Sequence, residues 1–119
     1  MNKGKKISGG KYKKNRKKKS YEIAGQRRIV KLGEEKKKSQ RARGGNKNIF
    51  LLRTKFINVL EGNKIKKIEI KNVLETPSNR FLARQNVLTK GTIVETEMGK
   101  VKITNRPSQE AIINGILIK

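Results

Sequence analysis

The positive charge of this chain is concentrated at its N-terminal end, and this limits what that end can fold into. The 119 residues include 32 Lys and Arg but only 9 acidic residues, which gives a net charge of +23. Residues 1–48 alone hold 19 basic and 3 acidic residues, a net charge of +16. In its first twenty positions the chain has only Met1, Ile7 and Tyr12 as apolar or aromatic side chains, too few to offset the entropy lost on ordering. We therefore predict an extended basic arm over residues 1–26, disordered when free in solution.

Short segments of alternating apolar and polar residues follow the arm, as in β-strands. In the segment 49–60, one register holds Phe50, Leu52, Phe56 and Leu60, which are predicted to share a face. The segments are separated by glycine, asparagine and proline residues typical of turns. Predicted strands cover residues 27–32, 49–60, 65–74, 91–98, 100–104 and 111–118. Predicted turns lie at residues 33–35, 61–64, 99 and 106–108.

One segment has the pattern of a short helix. Residues 78–85 fit a helix capped by Ser78, with Phe81, Leu82 and Gln85 on one face. Because it has only one or two turns, such a helix is marginal by itself and depends on packing against the rest of the domain.

The number and spacing of the strands indicate the fold class. About six or seven short strands separated by turns favour a small, closed or partly closed β-barrel. We therefore predict an all-β fold with at most one short helix, in which residues 27–119 form the barrel domain. Gly115 predicts a bulge or a close approach of a neighbouring backbone. Residues 36–48 run from basic side chains into Gly44-Gly45 and are predicted to form a basic, glycine-rich loop; a mobile surface loop without a ligand is the alternative.

The missing residue types exclude several classes of function. Without Cys and His, the chain cannot form a disulfide, a Cys-ligated zinc site or a nucleophile–His relay. It has no phosphate-binding loop motif of NTPases, no apolar run of about 18–20 residues that could span a membrane and no apolar segment typical of a secretory signal. Glu95 and Glu97 are interpreted as solvent-facing charges. We expect no enzymatic activity, no cofactor, no bound metal and no membrane association.

The basic arm and loop predict binding to a polyanion. Lys and Arg neutralise phosphates, and glycines let backbone N–H groups approach them. Tyr12 and Tyr21 could stack on unpaired bases, although the edge of the barrel is an equal alternative for Tyr21. For the arm, a solubilising tail or a localisation signal is the alternative. The predicted contact residues are Lys5, Lys6, Ser8, Gly9, Gly10, Lys11, Tyr12, Lys13, Lys14, Arg16, Lys17, Lys18, Lys19, Arg27, Arg28, Lys36, Lys37, Lys38, Arg41, Arg43, Gly44, Gly45, Asn46, Lys47, Arg53, Arg84 and Arg106.

A second candidate basic patch on the barrel consists of Arg53, Arg80, Arg84 and Arg106. Arginine presents a planar fork that binds phosphates or base edges in a bidentate manner. Plain exposure to solvent is the alternative interpretation for each of these four side chains.

Several motifs along the chain resemble those of one known family. They are Ser8-Gly9-Gly10 with the basic cluster before Tyr21-Glu22, the segment 41–47 (RARGGNK), Leu51-Leu52-Arg53, the segments 86–91 (NVLTKG) and 95–99 (ETEMG), and Arg106-Pro107. Together they resemble the e-type small-subunit ribosomal protein eight of archaea and eukaryotes. The chain lacks the long insertion typical of the eukaryotic members, so it is similar to the short, archaeal form.

This resemblance implies a β-barrel core with an extended N-terminal arm and a structural role in the small ribosomal subunit in the cytoplasm. It implies small-subunit rRNA and neighbouring small-subunit proteins as partners. It also implies no membrane, no small-molecule substrate and no autonomous homo-oligomer.

Two other functions stay open on the residues alone. A small chromatin or DNA-architectural protein would need a similar excess of positive charge, although no recognition helix for a major groove is predicted. An RNA-modifying enzyme is opposed by the lack of His, Cys and a cofactor loop.

Overall fold

The chain folds into short β-strands and one helix, which a computed structural model describes for residues 4–13 and 15–118. Within these residues the strands are β1 (Lys31–Leu32), β2 (Lys36–Arg41), β3 (Lys47–Thr54), β4 (Phe56–Glu61), β5 (Lys64–Glu75), β6 (Ile93–Thr96), β7 (Gly99–Ile103) and β8 (Asn114–Leu117). The helix α1 (Arg80–Arg84) lies between β5 and β6. None of the helical segments in this described part is long and apolar enough to cross a membrane.

The strands form two sheets, of which the larger closes on itself. Strands β4 to β8 pair in sequence order, and the barrel closes because β8 lies parallel to β4, with Asn58 opposite Asn114 and Leu60 opposite Ile116. The hairpin between β4 and β5 turns at Gly62, with a φ of 58°, and Asn63. The smaller sheet has the order β1-β3-β2. The predicted all-β barrel with one short helix is confirmed.

The barrel core consists of aliphatic side chains that alternate with exposed polar residues. Ile57, Val59, Val94, Val101 and Ile103 are at most 1% exposed. They come from β4, β6 and β7, so each strand contributes its inward-facing register to one shared cluster. Complete burial of such a side chain contributes roughly 1.5–3 kcal/mol each, and this cluster therefore holds the barrel closed.

Gly115 allows β8 to lie against the barrel interior, as its position in an apolar segment predicted. A Cβ atom at this position would lie 2.8 Å from Cδ1 of Ile57 and 3.1 Å from the carbonyl oxygen of Lys102, and closer still to Cγ1 of Val101. Because those neighbours belong to the closed core, they have little room to move aside.

We expect Gly115→Ala to lower the free energy of unfolding by about 1–3 kcal/mol, because the added methyl overpacks the seam between β4, β7 and β8. Gly25→Ala is the matched control, since nothing lies within 4 Å of the added Cβ there. It should change stability by less than about 0.5 kcal/mol. Urea unfolding followed by far-UV circular dichroism measures both. Equal stability of the two variants would contradict the close approach.

The prediction of one continuous strand over residues 49–60 is wrong. The strand breaks at Lys55, where the Thr54 hydroxyl oxygen accepts a hydrogen bond from the Phe56 N–H at 3.2 Å. A break that shifts the register by one residue exchanges the two faces of a strand. As a result Ile57 faces the core, while Phe56 and Leu60, predicted to share a face with Phe50, are 40% and 48% exposed.

The helix exists but its cap and its buried face differ from the prediction. Asn79 rather than Ser78 caps it, since the Asn79 side-chain oxygen accepts a hydrogen bond from the Phe81 N–H at 3.0 Å. Phe81 is 66% exposed, and Ala83 packs against the core instead. A five-residue helix presents so little surface that its entry angle, set by the cap, decides which side chains are buried.

Three other predicted segments have different bounds. The segment 27–32 is a strand only at β1, the last segment is a strand only at β8, and the turn between β6 and β7 lies at Glu97-Met98 rather than at Gly99. Element ends are the least determined part of any pattern, because terminal residues make few ladder hydrogen bonds.

Candidate nucleic-acid interface

The N-terminal arm extends away from the barrel and is covered with positive charge. The molecule is 68 Å long and its radius of gyration is 21.1 Å, against about 13–14 Å for a compact domain of this length. Every described residue between 4 and 29 is exposed, and the first buried residue is Val30. The arm therefore offers its basic side chains to a partner along its whole length. Lys14, one of the predicted contact residues, lies outside the described residues.

The first part of the arm is a small hairpin with lysines on both sides. Lys5 pairs with Lys11 in antiparallel orientation, and the Gly9 N–H donates to the Lys6 carbonyl at 2.8 Å. Gly9 has a φ of 79°, which a side chain would disfavour. This turn gives a backbone reason for the Ser8-Gly9-Gly10 motif, in addition to the predicted approach to phosphate. The predicted residues in and beside this hairpin are Lys5, Lys6, Ser8, Gly9, Gly10, Lys11, Tyr12 and Lys13.

The two tyrosines of the arm are both available to a partner. Tyr12 is 56% exposed, and Nζ of Lys6 lies 5.8 Å from its ring centroid. Tyr21 is 76% exposed and lies in a 3₁₀ turn of the arm (Ser20–Glu22), so the alternative that places it at the edge of the barrel is wrong. Both rings can stack on unpaired bases.

An ion pair folds the middle of the arm, which the sequence did not predict. The Arg16 guanidinium donates to both carboxylate oxygens of Glu22, at 2.6 and 2.9 Å, and the Lys19 N–H donates to the same carboxylate at 3.0 Å. These bonds hold the pKa of Glu22 below its usual range, with the Arg16 contact as the main cause. Arg16 therefore reaches a phosphate only by leaving Glu22, whereas Lys17, Lys18 and Lys19 have no carboxylate partner among the described residues.

We expect Arg16→Gln to raise the pKa of Glu22 toward its ordinary value, because the variant removes the charged donor. The Lys19 backbone contact stays and continues to lower this pKa. Since folding lowers this pKa, the ion pair is complete above the ordinary Glu range and opens as the pH falls through the lowered value. Carbon-13 NMR titration of the Glu22 carboxyl measures the shift. Lys17→Gln, which removes the same charge from the same segment, is the control, and an equal shift in both variants would contradict a specific pair.

Arg28 fastens the base of the arm to the smaller sheet. Its guanidinium lies 3.8 Å from the ring centroid of Phe50, and Nη2 donates to Oε1 of Gln40 at 2.7 Å. Phe50 is only 4% exposed, so Arg28 covers a core side chain. Both predicted arginines at this point, Arg27 and Arg28, are exposed, and Arg28 has this structural role as well.

The segment 36–48, predicted to be a loop, is mostly a β-hairpin. β2 pairs with β3 in antiparallel orientation, from Arg41 opposite Lys47 down to Lys36 opposite Arg53. Only the tip is a turn, a 3₁₀ segment over Arg43–Gly45 in which Gly44 and Gly45 have φ angles of 73° and 77°. The sequence did not predict β2, because its run of three lysines shows no alternation of apolar and polar residues.

β2 is an edge strand with every side chain exposed. Its basic side chains therefore line one edge of the smaller sheet, on both faces. Lys37 is partly neutralised by Glu35, whose carboxylate lies 2.6 Å from Nζ of Lys37, and this contact holds the pKa of Glu35 below its usual range. The other predicted residues here are Lys36, Lys38, Arg41, Arg43, Asn46 and Lys47, all exposed.

Three cations lie in register across the smaller sheet, and we call Lys31, Arg53 and Lys36 the cation row. Arg53 on β3 is the direct partner of Lys31 on β1 and of Lys36 on β2, so the three residues lie side by side, with a register shift between Lys36 and Lys37. All three are exposed, and among the described residues the ion pairs involve Arg16, Lys37 and Lys66 instead. Lys31 was not predicted as a contact residue, because its pairing with Arg53 depends on a parallel contact between distant segments.

The four arginines considered as a second basic patch lie on three parts of the fold. Arg53 belongs to the cation row, and Arg80 and Arg84 both lie on α1. Arg106 lines a cavity with Arg27 instead. No cluster of three or more Asp, Glu, Cys or His side chains that could hold a metal ion occurs in the described ranges.

The comparisons with known proteins agree with these features. The family model of ribosomal protein S8e matches residues 1–118. A small ribosomal subunit protein eS8 of Nanoarchaeum equitans is 46% identical over 95% of this chain and 91% of that protein. Proteins of the same name from Methanococcus aeolicus (45% identical over 95% of this chain and 91% of that protein) and Sulfolobus acidocaldarius (39% over 99% and 94%) are also similar.

These matches confirm the family that the motifs indicated, and the relatives are archaeal, as the short form implied. The similarity extends over both the arm and the barrel, so it does not depend on the basic composition of the N-terminus. The chain belongs to the ribosomal protein S8e family, whose members are structural ribosomal proteins and not enzymes.

Proposed function

We propose that this chain is a structural constituent of the small ribosomal subunit in the cytoplasm, where it binds small-subunit rRNA through the arm and the β2–β3 hairpin and contacts neighbouring small-subunit proteins. Its relatives are named small ribosomal subunit proteins, and these names support its place in that subunit. The cation row is the single observation that supports the binding surface best, because it is an arrangement that costs stability unless an anion is bound.

The cation row argues for phosphate as the ligand. Like charges directly opposite one another on adjacent strands are destabilising, by up to about 1 kcal/mol per pair. The row contains two such pairs, Lys31 with Arg53 and Arg53 with Lys36. It spans two strand spacings, about 10 Å, which suits one or two phosphates of a nucleic-acid backbone. A bound phosphate converts this repulsion into attraction.

The arm supplies most of the electrostatic affinity. Each neutralised phosphate releases condensed cations and steepens the dependence of log affinity on log salt by about 0.7–0.9. If about ten of the 19 basic residues in 1–48 engage, the slope is about −7 to −9. Ordering of the arm on binding offsets part of this gain.

The lysines and arginines of the interface are expected to bind RNA in different ways. The lysines of the arm act as point charges along the RNA backbone, whereas Arg41 and Arg43 can fork onto phosphates or base edges at the hairpin tip. On binding RNA, the Arg16 guanidinium leaves the Glu22 carboxylate and binds a phosphate instead. Until then the ion pair keeps the guanidinium bound to Glu22. The barrel anchors these elements and carries no group for chemistry.

Gradient sedimentation of a native extract after a high-salt wash tests this function. We expect the protein to stay with the small subunit, because an arm ordered on the RNA and an anchored barrel dissociate more slowly than a loosely bound polycation. Release by the wash, or sedimentation with DNA, would contradict the proposal and favour a DNA-architectural protein.

A further inference from the structure

A preformed cavity of about 300 Å³ lies where the base of the arm meets the barrel. Its floor consists of Val30, Val87, Leu88 and Pro107, all buried. Backbone hydrogen bonds hold the three segments that contain these residues in place. The Leu88 N–H donates to the Val30 carbonyl at 2.8 Å, and the Leu51 N–H on β3 donates to the Pro107 carbonyl at 3.3 Å. The cavity is therefore held open by the same contacts that hold the domain together.

The mouth of the cavity leaves apolar surface uncovered. Ile29 lines it and is 49% exposed, whereas the next residue, Val30, is 2% exposed. A volume of this size is at the lower end of the range for small-molecule sites, about 300–1,000 Å³. It accommodates one flat heterocycle rather than an extended peptide.

The charges around the cavity indicate what fills it. Arg27, Lys90 and Arg106 line it together with the packed Arg28, and no carboxylate of the described residues is among its lining. An apolar floor with cations alone at its edge is complementary to a nucleotide, which combines an apolar ring with an anionic phosphate. An aliphatic side chain from a protein would make no use of these cations. Ser108 also lines the cavity, and its hydroxyl is a group that can hydrogen-bond a base edge.

We propose that this cavity binds one unpaired nucleotide of small-subunit rRNA, with the base on the apolar floor and its phosphates on Arg27, Lys90 and Arg106. The inference rests on the proposed function, because the RNA is the source of the nucleotide. Sequence-specific recognition of RNA mostly uses unpaired bases that are splayed out and stacked on aromatic rings or guanidinium planes. The cavity would thus give the complex a fixed register, which the lysines of the arm cannot provide.

The test compares Ile29→Asp with Ile116→Asp, bound to full small-subunit rRNA. Ile116 is 50% exposed on the barrel, so the two variants make the same charge change at the same exposure, and the control lies outside the cavity lining. We expect Ile29→Asp to bind about tenfold more weakly than the control, the scale of the apolar burial that a half-exposed isoleucine loses. Ribose reactivity is then probed at nucleotide resolution. The reactivity of one unpaired nucleotide should change when the wild type binds, and it should stay unchanged when Ile29→Asp binds.

The outcomes separate this proposal from the proposed function. If the wild type shows no preference for small-subunit rRNA, the proposed function fails and the nucleotide site fails with it. If the wild type binds, but Ile29→Asp matches Ile116→Asp in affinity and in every nucleotide's reactivity, the nucleotide site is wrong and rRNA binding stands. A neighbouring protein as the occupant would give this second result.

Discussion

Neutralising five lysines of the arm is expected to weaken binding to small-subunit rRNA by about a thousandfold at about 0.15 M salt. Each lost phosphate contact removes about 0.6–0.7 decade of affinity at this salt, measured against 1 M. The loss should shrink as salt rises, because counterion release is the source of the affinity. The variant replaces with Gln the residues Lys11, Lys13, Lys17, Lys18 and Lys19.

The control for this experiment removes the same charge from the barrel. If net charge alone determined binding, five exposed lysines of β5 and β7 would matter as much as those of the arm. We expect the control to lose less than tenfold and to keep most of the salt slope, measured by filter binding over a salt series. Equal losses would contradict a specific role of the arm. The control replaces with Gln the residues Lys64, Lys66, Lys71, Lys100 and Lys102, all exposed.

The parts of the fold that local patterns determine were predictable. Ile70 faces the core between charged neighbours, Gly62 turns the β4–β5 hairpin at a positive φ, and Gly115 permits a close approach. In each case one residue's own geometry, or strict alternation along one strand, carries the information. Neither depends on which distant segment is the neighbour.

The parts that distant contacts determine were not predictable. The break at Lys55 changes which side chains are buried, although no glycine or proline marks it in the sequence. Arg28 is indistinguishable by charge from Arg27, yet it lies on Phe50 because β3 pairs with β2. The parallel contact between β1 and β3 likewise creates the cation row from Lys31 and Arg53, which lie more than twenty residues apart.

The interface shows the same division. The composition of the arm predicted a polyanion, because charge density needs no fold to act. Composition could not separate cations that carboxylates already satisfy, such as Arg16 with Glu22, from cations that the fold leaves facing one another. That distinction decides which side chains gain most from a phosphate, and it leads to an experiment on the cation row.

Neutralising the cation row should change RNA affinity and protein stability in opposite directions. In the variant with Gln at Lys31, Arg53 and Lys36, the two like-charge pairs disappear, and the free energy of unfolding should rise by about 0.5–1 kcal/mol at low salt. Affinity for small-subunit rRNA should fall by about tenfold to a hundredfold at about 0.15 M salt, and the slope should become shallower by about one to two. Urea unfolding and filter binding measure the two effects on the same preparation.

A matched variant replaces Lys64, Lys71 and Lys100 with Gln, three exposed barrel lysines that carry the same charge. We expect little change in its stability and less than a threefold loss of affinity, because none of the three belongs to the cation row. A surface charge that only keeps the protein soluble is not expected both to destabilise the free protein and to strengthen RNA binding. If the row variant lost affinity without gaining stability, the loss would reflect charge alone. If it gained stability and kept its affinity, the repulsion would be real but RNA would not be what relieves it. Only the paired result supports the cation row as a phosphate site built into the fold.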